Sequence, residues 1–318
     1  MSAGAVVCLS ANPGFDRRLR LPSLALGEVN RAATALAMPG GKATHVAMAV
    51  LALGARAVWI GFLGGATGAE CSRQLQDLGV EVHAVETASP TRINLEVIED
   101  SGRITEILEP GGPPDVQEQQ QLLGAYSRIV SETPRSVVTI SGSLPPGVPP
   151  DFYIPFIDSA HGAGCTVMLD TSGEALRAGL AGRPDLVKPN RKEAEALLGR
   201  PVPDADAAAQ VARQIIDRGA RSAAITLGAN GVVWLDSKGG AAWLARPPRL
   251  KPISTVGSGD ATLAGFAWAL IQGMAPEETA KLAAACGAAN CLAEFEGRIS
   301  LDVVRELMQR VETTRLAR

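Results

Sequence analysis

The chain has 318 residues, 46% hydrophobic and 20% charged, which suits a globular protein with a substantial core. A net charge of −3 disfavours nucleic acid and anionic membrane as partners, and no apolar run approaches the ~20 residues of a membrane span. The five cysteines, Cys8, Cys71, Cys165, Cys286 and Cys291, are odd in number and lack a C-x-x-C pair, which argues against a disulfide framework or zinc site and for a reducing cytoplasm.

Met1 to Ser10 has no basic start and no apolar segment adequate for a signal peptide. Ala5 to Leu9 reads as a central strand, followed by the turn Asn12-Pro13-Gly14-Phe15-Asp16. Asp16 is thus expected just past a strand's carboxyl end, where open α/β sheets place ligands. Residues 17–37 show no strong helix pattern and suit short strands or a flap. Pro39-Gly40-Gly41-Lys42 opens a helix with Val46, Ala49, Val50 and Leu53 at i, i+3, i+4 and i+7, stopped at Gly54. Lys42 in its first turn opposes the helix dipole unless an anion is bound there; a solvated surface lysine is the other reading. Ala57 to Phe62 reads as a strand, Gly64 to Gly68 as a loop, and residues 69–78 as a helix ended by Gly79. Val80 to Val85, Thr91 to Ile98 and Arg103 to Leu108 are expected strands, the last two joined by the hairpin turn Asp100-Ser101-Gly102. They carry Arg92 and Asn94 and, with residues 17–37, suit a small β flap.

From residue 115 strands and helices alternate. Expected strands at Val137 to Ile140, Thr166 to Asp170, Leu186 to Lys188 and Ala223 to Leu227 are separated by helices at 151–162, 173–180, 191–198 and 204–218, after a first helix at 115–131. Two more strands follow, then helices at about 259–272, 276–294 and 300–313. Such units imply right-handed crossovers and a parallel sheet with helices on both faces.

The stretch Ser254-Thr255-Val256-Gly257-Ser258-Gly259-Asp260 reads as a glycine-rich turn entering a helix. Unpaired N–H groups and the helix dipole make such a turn an anion site, and Gly257 and Gly259 permit close backbone approach. A carboxylate there is repelled by the anion, so Asp260 has two readings: a helix cap, or the acceptor of a proton from a hydroxyl attacking a phosphoryl group. Asp16, Ser143, Asp170, Asn190, Thr226 and Asp260 all follow expected strands, and in a parallel sheet those ends share one edge. Each alone suits turn or cap chemistry; so many on one edge suit a site. Glu193 and Glu195 either complement a helix N-terminus or hold Mg²⁺, directly or through water. No Walker A motif, G-x-S-x-G or H-E-x-x-H occurs, and no G-x-G-x-x-G follows the first strand, so a dinucleotide-dependent dehydrogenase has little support.

Seven segments in this order and spacing carry a resemblance across nearly the whole chain: Asn12-Pro13-x-x-Asp16, Gly40-Gly41-Lys42, Thr91-Arg92-x-Asn94, Ser141-Gly142-Ser143-Leu144-Pro145, Lys188-Pro189-Asn190-x-x-Glu193, Leu227-Gly228-x-x-Gly231 and Thr255-Val256-Gly257-Ser258-Gly259-Asp260. The chain resembles the ribokinase-like sugar kinases of the phosphofructokinase-B branch, which includes 1-phosphofructokinase and tagatose-6-phosphate kinase. The resemblance implies a three-layer α/β/α fold over residues 1–318, with a mainly parallel sheet and a discontinuous β lid at approximately 14–37 and 86–110. It implies ATP-dependent phosphorylation of a ketohexose phosphate, with Asp260 as base and the N–H groups of Gly257, Ser258 and Gly259 as the anion hole. Asp16, Gly41, Asn94 and Ser143 are then sugar contacts, and Lys42 and Arg92 read the phosphate already on the substrate. Lys188, Asn190, Thr226, Gly228 and Gly231 form the ATP site, with Asn290 beside the base. Glu193 is linked to Mg²⁺, and carbonyls near Ser254 and Val256 hold a monovalent cation such as K⁺ in some members. The lid often forms a homodimer contact. One departure stands out: the family's usual Gly-Gly-Lys-Gly-Ile-Asn is Gly40-Gly41-Lys42-Ala43-Thr44-His45 here, so His45 replaces a sugar-binding asparagine and bears on which sugar fits. The competing expectations are a kinase for an unphosphorylated sugar or nucleoside, and a non-catalytic sugar-phosphate or nucleotide sensor on the same fold.

Overall fold

The computed structural model describes residues 4–236 and 240–316. The chain begins with β1 (Ala5–Ser10), β2 (Gly14–Leu21), β3 (Thr34–Gly40), α1 (Lys42–Ala52), β4 (Arg56–Leu63), α2 (Gly65–Asp77), β5 (Glu81–Glu86), β6 (Arg92–Glu99) and β7 (Ile104–Leu108). It continues with α3 (Val116–Glu132), β8 (Val137–Ser141), α4 (Ile154–Gly162), β9 (Thr166–Asp170), α5 (Gly173–Gly179), β10 (Leu186–Val187), α6 (Arg191–Leu198), α7 (Ala205–Asp217) and β11 (Ala223–Thr226). Last come β12 (Val232–Asp236), β13 (Ala241–Arg246), α8 (Ser258–Ile271), α9 (Pro276–Leu292), α10 (Leu301–Arg310) and β14 (Glu312–Leu316).

The fold is a three-layer α/β/α arrangement. A ten-stranded sheet has the order β14-β13-β12-β11-β10-β9-β8-β1-β4-β5, and a separate four-stranded sheet has the order β3-β2-β6-β7. Strands β5 through β11 of the large sheet run parallel, while β12, β13 and β14 are antiparallel. The sequence of β1 shows why two layers of helix are needed. Val6 and Cys8 enter a core with α1, α8 and α9, and Val7 and Leu9 enter a second core with α3, α4 and α7. A strand buried on both faces reads as an unbroken apolar run. From β1 the chain builds outward to β4 and β5, then returns to β8 on β1's other side. The strand order reverses between β1 and β8, and such a reversal opens a crevice at the carboxyl ends.

Four local expectations are corrected. The strand expected at Val80 to Val85 is β5, which pairs with β4 at the edge of the large sheet and is not part of the small one. Gly64 to Gly68 is not a loop: α2 starts at Gly65, and a Cβ on Gly64 would meet the Ser89 carbonyl at 2.0 Å, so glycine serves close packing there. The last helix ends at Arg310 instead of 313, and Glu312–Leu316 pairs with β13, covering what would be an open sheet edge. Asp16 lies within β2, not in a turn beyond β1, and faces Asn94 in register on β6.

A buried arginine is one tie between the small sheet and the body. The Arg18 guanidinium on β2 donates from Nε and Nη2 to one Glu96 oxygen at 2.9 and 2.8 Å, and also to the Glu294 carbonyl and the Glu296 carboxylate. All three charged side chains are at most 4% exposed. Removing one partner from such a cluster strands the others in a dry site. Arg18→Met is expected to destabilise the protein by about 3–5 kcal/mol in urea unfolding, more than replacing the whole cluster with apolar residues would.

Candidate active site

Two glycine-led helix starts face the crevice. At α1, Gly41 is the N-cap with φ 90°, and a Cβ on Gly40 would fall 2.0 Å from the Asp16 carboxylate. Only glycine at 40 leaves room for that acid. At α8, Gly257 is the N-cap with φ 74°, packed where a Cβ would meet Glu296 at 2.9 Å. Ser258, Gly259 and Asp260 form the first turn, whose N–H groups have no intrahelical acceptors. A Cβ on Gly259 would stand 3.2 Å from Lys188 Nζ, so an ammonium lies against this turn. Asp260 bonds not to its own turn but to His45 of α1, Oδ2 to Nδ1 at 2.9 Å.

The carboxylates at this edge are matched by cations. Lys42 Nζ donates to Asp170 at 3.0 Å and to Glu193 at 3.3 Å. Lys188 Nζ lies 2.8 Å from the other Asp170 oxygen. Burial alone would lower the Lys42 pKa, but the charges of Asp170, Glu193 and Asp260 outweigh it and raise it. Burial likewise favours neutral Asp170, and the two lysines overcome that and hold its carboxyl below the usual range. His45 Nε2 sits 3.2 Å from Asp16 Oδ2, opposite its bond to Asp260. Burial would lower the His45 pKa; hydrogen bonds and charges of Asp16 and Asp260 lift it to about 10.

On the small-sheet side, Asn94 Nδ2 donates to Asp16 Oδ1 at 2.7 Å, while the buried Asn94 Oδ1 has no partner. Ser143, in the loop after β8, accepts a bond from Asn12 Nδ2 at 3.2 Å, across the strand-order reversal. Arg92 donates to the carbonyls of Glu109, Asn12 and Pro13 at 2.9, 3.2 and 3.3 Å. Among the described residues no carboxylate lies within ion-pair distance of it, and burial lowers its pKa. The two cations expected to read a phosphate therefore differ: Lys42 is already paired, Arg92 is not.

On the other side, Asn190 caps α6 in a reciprocal box with Glu193. Asn190 Oδ1 accepts from the Glu193 N–H at 3.0 Å, and Glu193 Oε2 accepts from the Asn190 N–H at 2.8 Å. A parallel bridge joins Asn190 to Thr226, which sets the turn Gly228–Asn230 beside this cap. Gly228 and Gly231 both have positive φ, and a Cβ on Gly231 would meet the Ala245 carbonyl at 2.1 Å. Asn290 is buried, with Nδ2 on the Val256 carbonyl at 2.7 Å and Oδ1 on the Gly297 N–H at 2.8 Å. It braces the turn before α8. Ser254 Oγ accepts from the Val256 N–H at 3.1 Å.

The structure thus gathers the expected site residues into three polar clusters at this edge: Asp16, His45, Asn94 and Asp260; Lys42, Lys188 and Glu193 joined through Asp170; and Arg92 with Ser143 joined through Asn12. Two residues of these clusters had no role assigned from the sequence, although Asp170 was expected on this edge. Asp170 joins Lys42 to Lys188, and its signal was the carboxylate ending a buried strand. Asn12 joins Ser143 to the Pro110 carbonyl, and its Asn-Pro setting looks like any turn.

Residues 7–295 match the model of the pfkB family of carbohydrate kinases. The chain is 31% identical over 311 residues to 1-phosphofructokinase of Haemophilus influenzae, covering 98% of each chain. It is 34% identical over 290 residues to ATP-dependent 6-phosphofructokinase isozyme 2 of Escherichia coli, covering 90% of this chain and 92% of that one. The crystal structure of E. coli phosphofructokinase-2 in complex with fructose-6-phosphate superposes with a TM-score of 0.86 at 32% identity, over 97% of this chain and 99% of that one. With matched helix starts, an acid in the first turn of α8 and a family match over most of its length, the chain belongs to the pfkB family of carbohydrate kinases.

Proposed function

We propose that the chain transfers the γ-phosphoryl group of ATP to a hydroxyl of a ketohexose monophosphate, giving a hexose 1,6-bisphosphate. The substrate class is fructose 1-phosphate or fructose 6-phosphate, in keeping with the names of the relatives, or tagatose 6-phosphate, in keeping with the motif resemblance. The observation that carries this reading is the first turn of α8, where Asp260 stands among N–H groups with Lys188 against Gly259. The attacking hydroxyl gives its proton to Asp260 as its oxygen bonds to the γ-phosphorus. The bond to the β,γ-bridging oxygen breaks, and ADP leaves with the electron pair. The N–H groups of Gly257, Ser258 and Gly259 at this helix start would stabilise the charge that develops, Ser258 by giving up its 3.4 Å contact with the Thr255 carbonyl.

Asp16 and Asn94 orient the sugar. A hydroxyl donating to the unpartnered Asn94 Oδ1 would satisfy it. Gly41 and Ser143 complete this side. Arg92 keeps its charge for the phosphate the substrate brings, since only neutral carbonyls hold it. Lys42 has one N–H left for that phosphate and its charge is already shared by two carboxylates, so Arg92 takes the larger share. Lys188, Asn190, Thr226, Gly228 and Gly231 line the nucleotide side, and Asn290 holds its turn in place.

For Mg²⁺, no group of three or more His, Cys, Asp or Glu side chains among the described residues could hold an ion. The Glu193 oxygens already bind the Asn190 N–H and Lys42. That donor set fits Mg²⁺ carried on nucleotide phosphates and met by Glu193 through water, where the ion offsets phosphate charge. A monovalent cation at the carbonyls of Ser254 and Val256 draws support from the E. coli phosphofructokinase-2 structure in complex with potassium.

Leu36, Ile107 and Leu108 are exposed on the small sheet, with Leu26 and Val29 in the connection from β2 to β3. An apolar face of this kind supports a homodimer through the small sheet, which also acts as the lid. Five unpaired cysteines suit a cytoplasmic setting, and no helix among the described residues is long and apolar enough to cross a membrane.

A coupled ADP-release assay over fructose 1-phosphate, fructose 6-phosphate, tagatose 6-phosphate and unphosphorylated ketoses tests the reading; turnover confined to unphosphorylated sugars would sink it. Asp260→Asn is expected to lower kcat by roughly 10²–10⁴-fold with ATP affinity kept. Arg92→Ala should raise KM for the phosphorylated sugar by about 10–100-fold, the loss of a charged hydrogen bond, without weakening ATP. Ile107→Glu should convert the dimer to monomer in analytical ultracentrifugation.

A further inference from the structure

Asp16 and Asp260 come from different parts of the fold, one on the small sheet and one on α8, and both are at most 5% exposed. Between them lies a single ring. His45 Nδ1 is 2.9 Å from Asp260 Oδ2, and Nε2 is 3.2 Å from Asp16 Oδ2. A neutral imidazole has one N–H and one lone pair, so it can donate to only one of two carboxylates. Its lone pair would then face the other anion at hydrogen-bond distance. Two ionised carboxylates on opposite nitrogens select the form with both N–H groups, which is a cation.

Among the described residues no other cation bridges the two carboxylates: the charge of Arg92 on β6 also acts on Asp16, but its guanidinium bonds to the Pro13, Asn12 and Glu109 carbonyls. Lys42, three residues earlier on α1, is engaged by Asp170 and Glu193. Arg18, two residues beyond Asp16, is engaged by Glu96 and Glu296. Lys188 is held by Asp170. Asp260 is the only titratable residue on α8, and β3 and β8 carry none. On β1 the only titratable side chain is the buried thiol Cys8, on α2 the one buried titratable side chain is Cys71, and on β4 Arg56 is paired with Glu81. Across the loop after α9, the Gly297 backbone packs on that of His45. On the sugar side, Asp16's other partner is the neutral amide of Asn94.

We propose that His45 is a positioning residue: its imidazolium is the shared counter-ion that clamps the base Asp260 to the sugar-orienting Asp16. This rests on the assignment of Asp260 and Asp16 above. The clamp spaces the proton acceptor from the group that orients the sugar. It lets two buried anions stand close without repelling each other, and it links the small sheet to the start of α8. An asparagine at this position supplies N–H groups but no charge, so it cannot play the same part. Because Asp16 and Asp260 raise the His45 pKa to about 10, the ring stays protonated and the clamp closed until pH climbs towards about 10, and the stability it adds to the fold, full below the free imidazole's value of 6.5, is lost as pH rises through about 10.

Two measurements decide it. The first needs no turnover. The chain has three histidines, so ¹⁵N NMR of histidine-labelled protein, assigned with His45→Asn, should show both His45 ring nitrogens carrying protons at pH 8. A His45 spectrum of a single neutral tautomer at pH 8 overturns the proposal, whatever the substrate proves to be. The second is the pH profile with a turned-over sugar phosphate. Wild type should lose kcat/KM on an alkaline limb near pH 10. His45→Asn should lose roughly 10–100-fold in kcat/KM for the sugar at pH 8 and lack that limb, with KM for ATP unchanged. A folded His45→Asn enzyme that kept the wild-type limb and kcat/KM would overturn the clamp while leaving the kinase reading intact. If no sugar phosphate is turned over by wild type, that reading fails and the NMR result stands by itself.

Discussion

Buried carboxylates demand buried cations, and this requirement organises the carboxyl edge of the large sheet. Asp170 takes Lys42 and Lys188, Glu193 shares Lys42, and Asp16 with Asp260 takes His45. An unpaired charge in such a site costs several kcal/mol, so each pairing fixes the position of the element that bears it. The N-terminal turns of α1 and α8 and the end of β9 are held together by these contacts in addition to apolar packing. The backbone N–H groups at the start of α8 thereby stand next to Lys188, as stabilisation of developing negative charge requires.

The same logic extends to the small sheet. Arg18 is buried on β2 and binds Glu96 within that sheet and Glu296 in the segment after α9. Glu296 in turn packs against Gly257, the N-cap of α8. A chain of contacts therefore runs from the small sheet to the turn proposed to receive the phosphoryl group. His45 makes a second such link, from Asp16 to Asp260. Substrate bound against the small sheet and charge developing at α8 would act on one connected set of groups.

Local sequence signals served well where one residue type had one structural reason. Gly40 and Gly41 announced a tight helix start, and the structure shows why: Asp16 fills the space a Cβ would need at position 40. The buried runs in β1, β8 and β9 were legible because strands covered on both faces are uniformly apolar. The failures were of another kind. Glu312–Leu316 is a polar, partly exposed stretch whose strand character comes from β13 beside it, not from its own periodicity. The glycines at 64 and 65 looked like a loop because their purpose, contact with Ser89 and Pro90, lies elsewhere in the chain.

By itself, the sequence determined most of the order of strands and helices, the glycine-led turns before α1 and α8, and the family, because periodicity, turn chemistry and motif spacing act over a few residues. Which charges meet was decided only by the tertiary structure. Lys42 could have been a solvated cation or a free phosphate reader; folding sets it on Asp170, 128 positions away. His45 looked like a replaced sugar contact; folding sets it between Asp16 and an acid 215 positions along the chain. Electrostatic partners are chosen by proximity in a dry interior, where a charge interacts strongly with whatever the topology places beside it. That information resides in the packing of sheet and helices and not in any local stretch of residues.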